Sequence, residues 1–249
     1  MRRRHKEEPQ PAAEPVESPY DPQARYRTRS GTSWVGYIVH LSETCADDAI
    51  NLITHAMTTV ATVHEAKCTA AIHAALAGKG LVPSEHLVDA AYVDAELLVS
   101  SRETLEIDLF GPPRPNPAWQ AKVKGGYTPD RFEIDWEHKR VRCPQGKLSL
   151  VWSSLAERSG ASYIRVEFRE ADCSPCLARA LCTRAEQVRH LRLQPRAEHE
   201  ALKAARGRFA TKEGRRGYAR QAGIEGTISQ GVRAFGLRLV PGLPVSPAQ

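Results

Sequence analysis

The chain lacks any long apolar run. None of its stretches approaches the roughly 20 consecutive apolar residues that a membrane-spanning helix needs, and mean hydropathy is −0.44. The N-terminal stretch MRRRHKEEPQPAAEPVESP is basic, then acidic and proline-rich. It has no apolar h-region and so does not read as a secretory signal. Together these absences predict a cytoplasmic protein with no membrane partner. Residues 1–33 also lack a strand pattern. Pro9, Pro11, Pro15, Pro19 and Pro22 alternate with mixed charge there, so little apolar surface can be buried and a disordered or extended lead-in is expected. A second C-x2-C pair is missing too, and no thioredoxin-like strand–helix context surrounds the one that is present, which argues against redox chemistry.

The 249 residues suffice for one large domain or two small ones. The net charge of +6 favours an anionic partner modestly. The positive charge is unevenly placed, with many arginines between Arg179 and Arg238. Arginine outnumbers lysine there, which suits bidentate phosphate contacts. The reading is either a solvated helical surface or a nucleic-acid-binding third of the chain, and the clustering favours the latter.

Taken in order, Trp34–Cys45 alternates Val35, Tyr37, Val39 and Leu41 and reads as a strand. Residues 52–63 read as a second strand, antiparallel to it. Residues 64–77 have helical spacing and stop at Gly78 and Gly80. The pair Leu87-Val88 is a short strand with Asp89 at its carboxyl end; a short helix over 94–101 and a strand over 107–110 follow. In mixed α/β sheets functional groups gather at the carboxyl ends of strands, so Asp89 is a candidate for chemistry. Its alternative role is to cap the helix that follows. After the Pro/Gly-rich break at 112–130, residues 132–136 and 140–143 read as a hairpin and 162–169 as another strand.

Six cysteines stand at 45, 68, 143, 173, 176 and 182. Cys143 lies in a CPQG turn after a strand, and Cys173, Cys176 and Cys182 follow about thirty residues later. Four soft ligands on two loops meet the requirement of a structural Zn²⁺ site, the alternative being reduced structural thiols. Cys45 and Cys68 read as packing residues.

The last element, RRGYARQAGIEGTISQGVRAFGLR over 215–238, reads as one helix. Its apolar face is Tyr218, Ile224, Ile228, Val232 and Phe235, and its opposite face carries Arg220, Gln221, Glu225, Ser229 and Arg233. Gly217, Gly223, Gly226 and Gly231 cost about 1 kcal/mol each in a helix interior and suggest that another backbone comes close. Read alone, Glu225 is either an incidental surface carboxylate or part of a site.

Three blocks in one order carry a resemblance. HLVDAAYVDAELL is similar to the Asp-x-Gly-Tyr block of bacterial insertion-sequence DDE transposases, YARQAGIEGTISQGVRAFGLR resembles that family's block bearing the last acidic residue, and CPQG with DCSPCLARALCT looks like the cysteine-bearing insert of one subgroup. The resemblance spans about residues 20–238. It implies an α/β, RNase H-like mixed sheet, cut-and-rejoin chemistry on double-stranded DNA at the element's ends, and Mg²⁺ or Mn²⁺. By residue, it makes Asp89 the second acidic residue and Glu225 the third, with Tyr92 and Tyr218 as the motif tyrosines. Ala91 replaces the usual glycine, Gln221 stands where an arginine is expected with Arg220 beside it, and Arg233 approximates the later basic residue.

The family's first Asp sits on an apolar strand ahead of GYIVHL, for which Asp21 between prolines is no substitute. The expectation is therefore a sheet without its first strand and a copy truncated at both ends. It divides into a lead-in (1–33), a partial RNase H-like core (34–115), a cysteine-bearing insert (116–195), C-terminal helices with the last acidic residue (196–238) and an irregular tail (239–249). Such a copy would hold two of three acidic residues and be inactive alone. The alternative is a non-catalytic DNA-binding remnant with a zinc module that regulates transposition, as a homo-oligomer or joined to an intact transposase. An unrelated RNase H-like nuclease would need a further carboxylate, for which Asp94 and Glu96 are the nearby candidates.

Overall fold

The computed structural model describes residues 16–46, 49–115, 117–158 and 160–237. The expectations for residues 1–15 and for the tail from 238 onward fall outside these residues. The lead-in, expected to be disordered or extended as far as residue 33, contains the strand β1 (Arg25–Arg29), which forms a hairpin with β2 (Thr32–Glu43). The turn is Ser30-Gly31, with φ of 49° and 81°, both positive as a two-residue hairpin turn with the right-handed strand twist requires. The pattern missed it because arginines dominate β1, and two of them are used structurally. Arg27 and Arg29 reach Glu65, whose carboxylate is 2% exposed.

β3 (Ile53–Val60) lies antiparallel on the other edge of β2, as the sequence pattern predicts, in register Tyr37↔Val60 to Ser42↔His55. The buried face of β2 is the opposite of the one its apolar alternation suggests. Gly36, His40 and Ser42 are buried, while Val35 is exposed and Tyr37, Val39 and Leu41 are half-buried. Polar His40 can lie inside because both ring nitrogens have partners, the Tyr92 hydroxyl at 2.7 Å and Thr59 Oγ1 at 2.9 Å.

The next helix, α1 (Ala66–Gly78), buries Cys68, Ile72 and Leu76. β4 (Glu85–Leu87) follows, then α2 (Ala95–Leu105) and β5 (Asp108–Phe110), which pairs parallel with β4. Among the described residues no single mixed sheet forms. β1-β2-β3 and β4-β5 are separate sheets, so the RNase H-like sheet of the resemblance is not present as one body of hydrogen-bonded strands. The reason is local: one edge of β4 is paired with β5, and among the described residues nothing pairs with the other.

Beyond the break, β6 (Glu133–Asp135) and β7 (Arg140–Arg142) make the predicted hairpin. β8 (Val151–Ala156) and β9 (Ser162–Glu167) then form a three-stranded antiparallel sheet with β10 (His190–Leu193), β9 in the centre. The sequence reading had only β9 of these. Between β9 and β10 the single-turn helices α3 (Glu170–Cys173) and α4 (Arg179–Cys182) each end on a cysteine, and Cys176 lies between them. This unit has a core of its own. Phe132, Val141, Ile164, Val166, Phe168, Leu191 and Leu193 are all buried together. The chain closes with α5 (Arg196–Ala210), α6 (Lys212–Tyr218) and α7 (Gly223–Phe235).

Candidate active site around Asp89

The period of two along an extended chain puts Glu85, Leu87 and Asp89 on one side of β4. Val88 N–H still donates to the Phe110 carbonyl at 2.9 Å, so the pairing with β5 holds the chain right up to Asp89. The seam tolerates no side chain at Gly111, where a Cβ would lie 2.2 Å from the Val88 carbonyl oxygen. Asp89 occupies the N-cap position of a 3₁₀ turn, Ala90–Tyr92, but makes no side-chain cap. Asp94 caps α2 instead, accepting from Leu97 N–H at 2.8 Å. The capping role left open for Asp89 is thus taken by another residue, and the exposed Asp89 carboxylate is held by the far end of the chain.

That end does not arrive as one helix. The segment expected to be helical over 215–238 breaks into α6, a 3₁₀ turn at Ala219–Ala222 and α7. The break aims two groups at one oxygen: Tyr218 Oη donates to Asp89 Oδ1 at 3.4 Å and Gln221 Nε2 to the same atom at 3.2 Å. Gln221, which replaces the arginine expected from the resemblance, is therefore a direct contact of Asp89. Glu225 follows in the first turn of α7 and is exposed. Its charge still reaches Tyr218. Burial, then the charge of Asp89 and its hydrogen bond, then the charge of Glu225, push the Tyr218 phenol up to about 12. Asp89 and Glu225, 136 positions apart in the chain, thus act on one phenol.

Several supporting residues had no motif to reveal them. Glu85 pairs with Arg220, which the resemblance had singled out, and with Arg208, which had no motif and also pairs with Asp108 at 2.8 Å. The Arg208 guanidinium lies 3.7 Å from the centre of the Phe110 ring. Phe110, Phe209 and Tyr218 form a ring cluster with centroids 5.5 to 6.2 Å apart. This cluster fixes α5 and α6 to the β4-β5 pair and so sets where Tyr218 stands. The one available signal was that Glu85 shares a strand face with Asp89. Glu43, at the end of β2, accepts from Thr227 Oγ1 at 2.5 Å and was likewise missed.

Of the other residues singled out, Tyr92 turns inward to His40, and burial, followed by the charges of Glu65, Cys68 and Asp89, raises its phenol well above the ordinary range. Arg233 is exposed in the last turn of α7. Ile224 and Ile228 line a cavity, but Phe235 is 84% exposed, so the expected apolar face is only partly used. The close backbone approach attributed to the glycines occurs elsewhere, at Gly214, where a Cβ would meet the Arg208 carbonyl oxygen at 1.9 Å. Gly217 and Gly226 face open space. Asp21 is occupied away from the site by the Tyr37 hydroxyl at 2.7 Å, and Glu96 lies in the first turn of α2.

Cys143, Cys173, Cys176 and Cys182 all line one cavity of about 30 Å³. Burial raises the Cys182 thiol, Arg189 opposes this, and Cys173, Cys143 and Cys176 add to the rise. Even so, among the described residues no group of three or more His, Cys, Asp or Glu side chains stands so that it could hold a metal ion. The zinc reading from spacing is not met by the side chains as they stand, because Cys143, Cys173 and Cys182 pack against the apolar core of the unit. Cys68 is buried as predicted, 3.6 Å from His40 Nε2, and the half-buried Cys45 lines the larger cavity between β2 and β4.

Residues 142–241 match the family model of a transposase DDE domain. The matched segment is less than half of the chain. It contains the four cysteines, Tyr218, Arg220, Glu225 and Arg233, and it stops short of Asp89 and Tyr92. It supports a transposase-type function and, with it, DNA as partner. No curated protein and no solved structure matches the chain. Among the described residues no helix is long and apolar enough to cross a membrane.

Proposed function

We propose that this chain is a DDE-type transposase acting on the double-stranded DNA ends of an insertion sequence, and that with two of the three acidic residues it does not cut or join DNA alone. The observation that carries the reading is the meeting of Asp89 with the segment bearing Glu225, both acting on Tyr218. Exposed carboxylates are hard-oxygen ligands suited to Mg²⁺ or Mn²⁺. When bound, such ions activate the attacking oxygen and stabilise the leaving one in phosphodiester chemistry. Asp89 and Glu225 are the residues that would hold them. Tyr218 and Gln221 orient Asp89, and Arg220, through Glu85, positions the 3₁₀ turn that carries Gln221. The arginines of the C-terminal third supply phosphate contacts.

The proposed inactivity rests on a shortage of carboxylates: the resemblance supplies two of three acids, and among the described residues no group of three or more His, Cys, Asp or Glu stands so that it could hold a metal ion. The test is a cleavage assay with the purified chain, DNA carrying matched ends, and Mg²⁺. The expected result is no strand transfer. Robust nicking that Asp89→Ala abolishes would overturn the claim of inactivity.

The second reading, a DNA-binding or transposase-regulating remnant with a zinc module, is favoured by the convergence of four thiols on one cavity. Four thiolates are the donor set that a structural Zn²⁺ takes, and the reading requires the thiols to close on the ion from positions in which they form no metal-holding group. Metal analysis of protein purified without added metal tests it. About one equivalent of zinc, lost in Cys176→Ser, is expected; a metal-free, folded protein refutes it. DNA binding that weakens with salt and survives Glu225→Gln would support this remnant reading over a catalytic one.

A further inference from the structure

A cavity of about 400 Å³ opens between the start of α1, the start of α2 and α5. None of Asp89, Tyr218, Gln221 and Glu225 lines it. Its charge is lopsided. Lys67 comes from the first turn of α1, Arg114 from the segment after β5 and Arg206 from α5. Three separate elements thus bring cations to one space, and among the described residues Asp94 is the only acid in the lining. The Asp94 carboxylate already accepts from Leu97 N–H at 2.8 Å as the cap of α2. Glu96 and Glu198 lie near Asp94 but outside the lining. Among the described residues Lys67 and Arg114 have no ion-pair partner, and Arg206 reaches Asp130 only at 3.7 Å.

The wall is also short of an acceptor. Arg114 Nη2 stands 2.7 Å from His64 Nε2, and Ala66 N–H points at His64 Nδ1 at 3.2 Å. Both are donors that cannot accept. A neutral imidazole offers one lone pair and carries its own N–H on the other nitrogen, and an imidazolium offers none. One of the two contacts therefore sets donor against donor in every protonation state. An anion in the cavity that accepts from Arg114 resolves this, because His64 Nδ1 can then accept from Ala66 while Nε2–H donates to the same anion.

We propose that this cavity binds a phosphate group, held by Lys67, Arg114 and Arg206 with His64 as a further donor. Guanidinium forks match phosphate oxygens. Two sources share that chemistry, a backbone phosphodiester of DNA and free inorganic phosphate. The DNA source rests on the transposase reading; the site itself does not. Val93 and Asp94, which line the cavity, follow directly on the Ala90–Tyr92 turn, so a backbone phosphate lodged here is tied to the stretch of chain that carries Asp89.

The experiment uses the full chain in the presence of EDTA, so that no divalent metal takes part. Inorganic phosphate is titrated against chloride at constant ionic strength and followed by NMR at the His64 ring and the Ala66 amide. Saturable shifts at both groups are expected, lost in the double variant Lys67→Gln/Arg114→Gln and kept in Lys203→Gln, which is exposed on α5 outside the lining. The wild-type titration alone decides the site: no saturable shift at these groups up to tens of millimolar phosphate overturns it. A fluorescent duplex then identifies the source. For a DNA backbone, phosphate competes with the duplex, and Arg114→Gln weakens duplex binding about ten-fold and lowers the slope of log affinity against log salt by about one. Phosphate binding with duplex affinity unchanged in Arg114→Gln assigns the site to free phosphate. A chain that takes phosphate but no DNA counts against the transposase reading and not against the site.

Discussion

Glu65 ties the N-terminal hairpin to the rest of the molecule, and replacing it by Gln tests how the two are joined. Its carboxylate accepts from Arg27 Nη2 at 2.8 and 3.0 Å and from Arg29 Nη1 at 2.8 Å. Arg27 also donates to the carbonyls of Ala61 and Val63. Removing one partner of a fully buried pair costs roughly 3–5 kcal/mol, because the other charge is left without compensation. Here Glu65 is 2% exposed but Arg27 is 19% and Arg29 51% exposed, so both cations can turn partly to water. The expected loss for Glu65→Gln is therefore at the lower end, about 3 kcal/mol, read from urea unfolding at neutral pH.

The acid limb gives a second reading. Burial pushes the Glu65 carboxyl up, but a backbone hydrogen bond, the hydrogen bond from Arg27 and the charges of Arg27 and Arg29 outweigh it, leaving it below the ordinary carboxylate range. A depressed carboxylate contributes stability that is complete above its unfolded value and is lost as pH falls through the folded one. The wild-type chain should thus lose stability in that acid range more steeply than Glu65→Gln. A loss under about 1 kcal/mol, the size of an exposed pair, or parallel acid limbs, would refute this account of the hairpin.

Other substitutions probe the support of the site. Gly111→Ala places a methyl group against the Val88 carbonyl and should cost about 3 kcal/mol in urea unfolding, with faster amide exchange along β4. Arg208→Ala removes the stacking on Phe110 and the pairing with Glu85 and Asp108; at 38% side-chain exposure a loss of about 2 kcal/mol is expected, and amide exchange should quicken in α6. Gly214→Ala meets the Arg208 carbonyl and should destabilise the α5–α6 junction, whereas Gly226→Ala, facing open space, should stabilise α7 by up to about 1 kcal/mol. A pair of thermal melts distinguishes the two.

The site was partly legible because its residues lie in local patterns. Asp89 follows a short apolar strand, which marks it as a candidate from a window of a dozen residues, whereas Glu225 was singled out by the resemblance of its block and not by its amphipathic stretch alone. Glu85, Arg208, Phe110 and Phe209 could not, since what makes them matter is contact across 100 or more positions for the arginine pairs. Likewise the arginines of β1 look like solvent-facing charge until Glu65 is placed beside them. The alternation in β2 gave the strand but the wrong buried face, because burial of His40 depends on hydroxyls from β3 and the Tyr92 turn.

The naming of Asp89 and Glu225 together came from the resemblance; by itself, the sequence determined the order of strands and helices from Trp34 to Phe110 and the clustering of the cysteines. These follow from periodicity and spacing, which act over a few residues. Tertiary structure alone decided that the terminal segment breaks at Ala219–Ala222 to aim Tyr218 and Gln221 at Asp89, and that the four cysteine side chains face one cavity. These depend on which distant backbones come together, and that is set by the packing of whole elements.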